Sequence, residues 1–335
     1  METMLDDRLL GCLRERLGGA VSYAEPPKPL SGGFDTIIHG LRLSGTTGDW
    51  SGPLILRIMA RGTSGARVRR EAAAHAALDR AGFPVPRVLL AEPEPAPLGA
   101  PFLIMQRMPG ETMWSAAQAR GLAALPAIPR RLAEIHAALH RVSGELLRES
   151  AQTFGVDLAT MGVEARVEDV GRRIDRAGLG GLSEGARWLV RNRPAPAQAE
   201  VICHGDFHPH NLMVEGDRLS GVIDWADVTL AEPTYDIAGL RVIALHADPG
   251  VPRWARGPTN VMRRLMVRRY MSVYRSAAPL DMRNLPYYEA IRVLSALAFT
   301  GEDRPRAGNP WNAPHIKARL VREFERVSGV RVHMR

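Results

Sequence analysis

An α+β fold in two lobes is the class this sequence predicts, and three observations carry it. At 335 residues the chain suits one very large domain or two lobes. Its first hundred or so residues hold short apolar runs split by glycine- and proline-rich breaks, with one long internal helical stretch. The remainder is patterned mainly as helix, interrupted by a polar loop and a hairpin between Val201 and Trp225. We therefore expect a small lobe at residues 1–108, an antiparallel sheet plus helix, and a larger helical lobe at 109–335.

In chain order, residues 4–18 place Leu5, Leu9, Leu10, Leu13 and Leu17 on one helical face. Glu25 to Pro29 reads as a proline-rich break. The Gly32-Gly33 pair leads into a strand at Thr36 to Leu43. Two readings fit those glycines: backbone N–H groups approaching phosphate oxygens, or a plain hairpin turn. Ser44 to Gly52 is turn-rich, and Pro53 to Met59 (PLILRIM) is a strand carrying Arg57. Arg67 to Gly82 is helical, with Gly82 as its stop and Glu71 near its start. Strands follow from Val88 and over Phe102 to Met105, joined by a proline-rich connector. Gln106 to Gly110 leaves the sheet.

Past Gly110 the pattern turns helical, clearest at Arg130 to Val142. His136 and His140 are four residues apart there and read as structural. Residues 145–195 predict one or two helices. Val201-Ile202-Cys203 is a short strand, and His204-Gly205-Asp206-Phe207-His208-Pro209-His210-Asn211 a polar loop. Leu212 to Val214 and Leu219 to Ile223 form a hairpin across Glu215-Gly216-Asp217-Arg218, ending on Asp224-Trp225. A helix opens near Pro233 and runs to about His246. A helix at Thr259 to Tyr274 is expected to bury Met262, Leu265, Met266 and Val273, leaving Arg263, Arg264, Arg268 and Arg275 solvated. Two more helices are expected near 285–300 and 312–328.

The central stretch carries the chemistry. An Asp and an Asn lie five residues apart, and the hairpin returns a second Asp toward them. Phosphoryl transfer needs a carboxylate at the attacking hydroxyl and oxygen ligands for Mg²⁺ on the nucleotide phosphates. Asp206 suits the base, while Asn211 and Asp224 suit the metal. The Asp-x-x-x-x-Asn spacing matches the catalytic loop of protein kinases, although His-Gly-Asp and Ile-Asp-Trp stand where kinases carry His-Arg-Asp and Asp-Phe-Gly.

HGDFHPHNLM followed by GVIDWAD resembles the aminoglycoside phosphotransferase family of kinase-like small-molecule kinases. The resemblance implies a bilobal protein-kinase-like fold. It also implies transfer of the γ-phosphoryl of ATP, or of GTP, to a hydroxyl of an aminoglycoside-, macrolide- or metabolite-like small molecule. On this resemblance Gly32 and Gly33 cover the nucleotide, and Arg57, where the family most often has Lys, touches the α- and β-phosphates. Arg binds phosphate bidentately, so the departure is chemically workable. Glu71 orients Arg57, the backbone around Gln106 to Met108 takes the adenine, and Asp236 holds the catalytic loop from behind. Asp227 is expected in a turn or cap. Asp281, Glu289, Glu302 and Asp303 are the carboxylates that could line an acidic acceptor pocket.

Composition bounds the alternatives. The net charge is +8, but the basic residues are dispersed and nearly all Arg, without interleaved aromatics, so nucleic acid is not an expected partner. There is no apolar run of about 18 residues and hence no expected membrane span. Two cysteines and an acidic, amphipathic start point to the cytoplasm. Two further readings remain at this level: a non-catalytic nucleotide-binding homologue, and a zinc-dependent hydrolase built on His204, His208 and His210.

Overall fold

The computed structural model describes residues 2–30, 36–60, 62–96, 98–195, 199–301 and 309–334. Gly32, Gly33, Glu302 and Asp303 lie outside them. In chain order the elements are α1 (Glu2–Leu17), β1 (Ser22–Pro29), β2 (Thr36–Ser44), β3 (Pro53–Met59), α2 (Gly65–Arg80), β4 (Val88–Glu92), β5 (Phe102–Gln106), β6 (Glu111–Thr112) and α3 (Met113–Arg120). Then follow α4 (Ile128–Leu139), α5 (Gly144–Thr153), α6 (Val163–Arg176), α7 (Ser183–Arg191), β7 (Val201–Cys203), β8 (Leu212–Glu215), β9 (Arg218–Val222), β10 (Thr229–Ala231), α8 (Pro233–His246), α9 (Arg256–Ala277), α10 (Leu285–Phe299) and α11 (Pro314–Ser328). This is the predicted α+β class. No helix among the described residues is long and apolar enough to cross a membrane.

The chain divides into two compact units. The first holds Met1–Met113, Glu145–Asp157 and Asn211–Ala226; the second holds Trp114–Gly144, Leu158–His210 and Asp227–Arg335.

The first unit is built on a five-stranded sheet of order β1-β2-β3-β5-β4, antiparallel throughout. The period of two sorts its side chains. Leu54, Leu56, Ile58, Phe102 and Ile104 pack with Leu9 and Leu13 of α1. The alternate residues Met59, Leu103 and Met105 pack with Val68 and Ala72 of α2. Arg57 falls in this second register, which turns it toward α2. Beside the sheet, β6, β8 and β9 form a three-stranded ribbon.

The second unit is helical around α10, which buries residues on nearly every side, as a central helix must. Its core joins Val167, Val170 and Ile174 of α6, Leu189 of α7, Tyr235 and Ala238 of α8, and Ile316, Leu320 and Phe324 of α11. The two-stranded pair β7–β10 sets the entry to the polar loop, with Cys203 opposite Thr229.

Three sequence expectations are corrected. Glu25 to Pro29 is strand, not a break. β1 is an edge strand with β2 as its one partner, and its register shifts between Glu25 and Lys28, so Pro26 and Pro27 need donate nothing to the ladder. Residues 145–195 hold α5, α6 and α7, more helices than expected. The α9 face is misassigned: Met262 and Leu265 are 39% and 56% exposed, while Val267, Tyr270, Met271 and Tyr274 are buried. The tyrosine hydroxyls find buried acceptors, as described below, and that decides which face turns in. Arg263 is accordingly part-buried and donates to the Ile243 carbonyl at 3.2 Å.

Candidate active site

The first unit gathers candidate residues around Arg57. Its guanidinium is ion-paired to Glu71 of α2, and its Nη2 lies 3.1 Å from Asp224 Oδ1. Glu71 is fully buried and Arg57 nearly so. Burial raises the Glu71 carboxyl above the usual carboxylate range, with Arg57 pulling the other way. Burial lowers Arg57, but Glu71 and Asp224 more than offset it, and the guanidinium holds its proton more tightly than usual. Arg57 Nε and Glu71 Oε2 are buried without a hydrogen-bond partner among the described residues.

Asn211 and Asp224 sit at the open end of the β8–β9 hairpin. Leu212 pairs with Val222, and Ile223 N–H donates to the Asn211 carbonyl at 2.9 Å, so Asn211 and Asp224 flank one rung. Trp225 anchors the exit: it is fully buried, its Nε1 donates to the Val222 carbonyl at 3.0 Å, and its ring meets Phe83 edge-on. Among the described residues Asp224 is the one non-glycine with positive φ, at 66°. An L-residue holds that conformation at a cost of roughly 1–3 kcal/mol, a cost typical of functional sites. An amide oxygen and a half-exposed carboxylate are hard oxygen ligands of the kind Mg²⁺ takes, so the residues present fit that ion. Of the expected adenine contacts, the Gln106 N–H already donates to Arg87 O at 3.0 Å and its side chain donates to Asp49. Met108 lies against Gly221, where an added Cβ would meet its Cε at 2.5 Å.

The second unit carries the loop with Asp206. Gly205 has φ +83°, and a Cβ there would come within 2.1 Å of the Asp227 carbonyl, so no other residue fits between His204 and Asp206. Asp227 is exposed and serves this turn, its carbonyl also accepting from Thr229 Oγ1 at 2.9 Å. The Asp206 side chain remains 40% exposed. His208 Nδ1 accepts from His210 N, which leaves the His208 Nε2–H to donate to Asp206 Oδ2 at 3.2 Å. Partial burial pushes the Asp206 carboxyl up, but His208, His204 and Arg292 outweigh it and hold it below the ordinary carboxylate range.

Asp236 of α8 is the buried hub behind this loop. Its Oδ2 accepts from His204 N at 2.6 Å and its Oδ1 from Gly205 N at 2.8 Å. The same carboxylate faces His136 Nε2 at 3.0 Å and His140 Nε2 at 3.4 Å. Tyr270 and Tyr274 of α9 close the outer side, each hydroxyl 2.7 Å from the Nδ1 of one histidine. Neither tyrosine is among the site residues that the sequence suggests. One signal was present: Tyr270/Tyr274 and His136/His140 are both spaced by four, as two facing helix stripes must be.

The zinc reading is not supported. His204 is buried, with Nδ1 accepting from Asp206 N at 3.1 Å, and His208 is turned to Asp206. Among the described residues His204, His208 and His210 do not converge as a ligand group; His136, His140 and Asp236 do, with ligand atoms within 4.8 Å of one another. Two of the four carboxylates named for an acidic acceptor pocket are ion-paired. Glu289 is buried and paired to Arg241 at 2.7 Å, and Asp281 is paired to Arg283 at 2.6 Å.

Burial, and then His140, lower the His136 pKa to about 4 despite Asp236. The unfolded chain takes up this proton below about 6.5 and the folded one does not. The resulting stability is therefore present above pH 6.5 and lost as pH falls toward 4, by up to roughly 3 kcal/mol. Denaturant unfolding at pH 7 and pH 4.5 checks this. A His136→Asn variant should flatten that acid loss, and an unchanged slope would contradict the assignment.

An antiparallel sheet with its Arg–Glu pair, a Gly-Asp loop and an Asp-bearing hairpin define a kinase-like phosphotransferase fold. The chain belongs to the phosphotransferase enzyme family known as APH, whose model matches residues 44–265. Solved structures share the fold at low identity. A candidate aminoglycoside phosphotransferase from Ralstonia eutropha aligns with TM-score 0.65 and 17% identity, over 96% of this chain and 98% of that one. A thermostable mutant of aminoglycoside phosphotransferase APH(4)-Ia, in ternary complex with AMP-PNP and hygromycin B, aligns with TM-score 0.61 and 17% identity, over 96% and 99%. Macrolide 2'-phosphotransferase MphH from Brachybacterium faecium aligns with TM-score 0.52 and 17% identity, over 95% and 98%. Among curated proteins, acyl-CoA dehydrogenase family member 11 from Gallus gallus is 28% identical over 51% of this chain and 22% of its own length. The protein of that name from Rattus norvegicus is 24% identical over 70% and 30%. The chain thus spans under a third of these relatives.

Proposed function

We propose that this protein moves the γ-phosphoryl group of ATP or GTP to a hydroxyl of a small molecule. The observation that carries the reading is Arg57, buried between Glu71 and the half-exposed Asp224. A guanidinium fixed on one side by a buried carboxylate, with a second carboxylate at the mouth, is a cation poised for phosphate oxygens. Asn211 and Asp224 would hold Mg²⁺, which would neutralise negative charge on the nucleotide phosphates. Arg57 orients the phosphates, and Glu71 keeps Arg57 in place. The adenine sits along Gln106 to Met108, with Met108 as the inner wall. Asp206, ionised at neutral pH, accepts a hydrogen bond from the acceptor hydroxyl, aligns its oxygen, and takes the proton as that oxygen bonds to the γ-phosphorus and the bond from the γ-phosphorus to the β–γ bridging oxygen breaks, releasing ADP or GDP. Asn211 and Asp224 lie five and eighteen residues after Asp206.

The acceptor is an aminoglycoside-, macrolide- or metabolite-like alcohol. Glu289 and Asp281, both spent on arginines, weaken the case for a polycation. The names of the curated relatives, acyl-CoA dehydrogenase family members, bring hydroxyl-bearing acyl-CoA compounds into the acceptor set. ADP release scored against these four classes tests the reading, and an acceptor that raises release well above the water-only rate is the expected result. No stimulated release by any class, with no nucleotide binding, would contradict it. Asp224→Ala should lose Mg-dependent nucleotide affinity while the chain stays folded. Titration of Mg-ATP by calorimetry checks this, and an unchanged affinity would remove Asp224 as the metal ligand.

A further inference from the structure

α9 contributes nothing to the transfer chemistry described above, yet it buries two hydroxyls against His136 of α4 and His140 at its C-cap, both of which face Asp236. We propose that Tyr270 and Tyr274 are positioning residues for phosphoryl transfer, setting the Asp206 loop through a directional hydrogen-bond chain; this rests on the phosphotransferase reading. The direction follows from what each atom can do. The backbone amides of His204 and Gly205 can only donate, so the Asp236 oxygens they meet are acceptors. His136 Nε2 and His140 Nε2 face the same Oδ2 and must carry hydrogen, since a bare nitrogen would set lone pair against lone pair. A neutral imidazole protonated at Nε2 has a bare Nδ1, and a buried bare nitrogen needs a donor. The Tyr270 and Tyr274 hydroxyls are those donors, each at 2.7 Å. Both rings are buried, and burial keeps the hydroxyl protons in place.

The chain reaches Asp206 by two routes. One runs through Asp236 to the amides of His204 and Gly205, the two residues before it. The other is a ring contact: Phe207, the residue after Asp206, stacks on His136 with centroids 3.9 Å apart and planes 15° apart. Without its tyrosine donor, a histidine is free to take the other tautomer, which turns a lone pair toward Asp236. The carboxylate then loses a donor, the ring under Phe207 is no longer fixed, and the loop amides lose their tight acceptor. Phenylalanine keeps the ring volume of tyrosine, so Tyr→Phe removes the hydroxyl and little packing.

The test uses the full chain and the variants Y270F, Y274F and Y270F/Y274F. In ¹⁵N-histidine spectra, His136 and His140 of the wild type should both report hydrogen at Nε2, and each single variant should shift its own histidine toward the Nδ1-H form. Amide exchange across Val201 to Asp206 should rise in the double variant. Its kcat should fall by roughly 10- to 100-fold, in line with the cost of small misplacements at a reacting centre, with the nucleotide KM within about twofold of wild type. Nucleotide hydrolysis by water gives kcat where no acceptor is in hand, and the single variants replace the double one if it does not fold. Hydrogen at Nδ1 in the wild type, a stoichiometric metal bound at His136, His140 and Asp236, or wild-type exchange and kcat in the double variant would each overturn the proposal. Failure of the phosphotransferase reading is separate: it shows as a wild type without nucleotide turnover, while tautomers and exchange are read without turnover.

Discussion

Asp206→Ala is expected to lower turnover by roughly 10²–10⁴-fold, the range that general-base removal costs. The loop offers this side chain little structural duty. It is 40% exposed, and Asp227 and Asp236 remain to balance Arg292 when it is lost. The fold should therefore persist, with a melting temperature near that of the wild type. Asp206→Asn is the sharper version, because it keeps size and polarity while removing basicity. His208 would still have an oxygen to donate to, so a loss in Asn as deep as in Ala assigns the effect to the carboxylate. Steady-state turnover with Mg-ATP checks this, and near wild-type rates in both variants would remove Asp206 as the base.

Arg57→Leu should have the largest effect on stability, about 3–5 kcal/mol. Glu71 is fully buried, and a buried ion pair broken from one side leaves the other charge uncompensated. Glu71 then stays folded only by taking a proton, which burial already favours. The double variant Arg57→Leu/Glu71→Leu removes both charges and should recover most of the loss, because the site lies between β3 and α2 against Val68 and Ala72, in an apolar layer. Nucleotide affinity should recover in neither. Denaturant unfolding of the wild type, both single variants and the double variant measures the cycle. If Arg57→Leu alone costs under about 1 kcal/mol, the ion pair is not holding this layer together.

The polar loop, the hairpin and the strand that carries Arg57 are legible in the sequence because their signals are local. The Asp-x-x-x-x-Asn loop, the Glu215-Gly216-Asp217-Arg218 turn and the alternation through PLILRIM each need only neighbouring residues, and the same alternation turns Arg57 to the α2 face. What failed depended on distant partners. Pro26 and Pro27 argue against a strand until β1 is known to lie at the edge. The Met262/Leu265 stripe is as apolar as the true buried face of α9, and only His136 and His140, some 134 residues away, select Tyr270 and Tyr274. Glu289 looked available for an acceptor until Arg241 was found against it. A charge's partner across the fold is invisible to spacing, which is why the acceptor pocket was the least legible part.

Melting of the wild type and the Asp224→Ala variant with Mg-ATP, Mg-GTP and either nucleotide in EDTA tests the central claim most directly. A ligand at about 100 times its dissociation constant adds about 2.7 kcal/mol to stability, a rise of several degrees for a chain of this size. The account predicts that rise for the wild type with Mg-nucleotide, and its loss both in EDTA and in the variant. Equal melting temperatures for the wild type with and without Mg-nucleotide would contradict it.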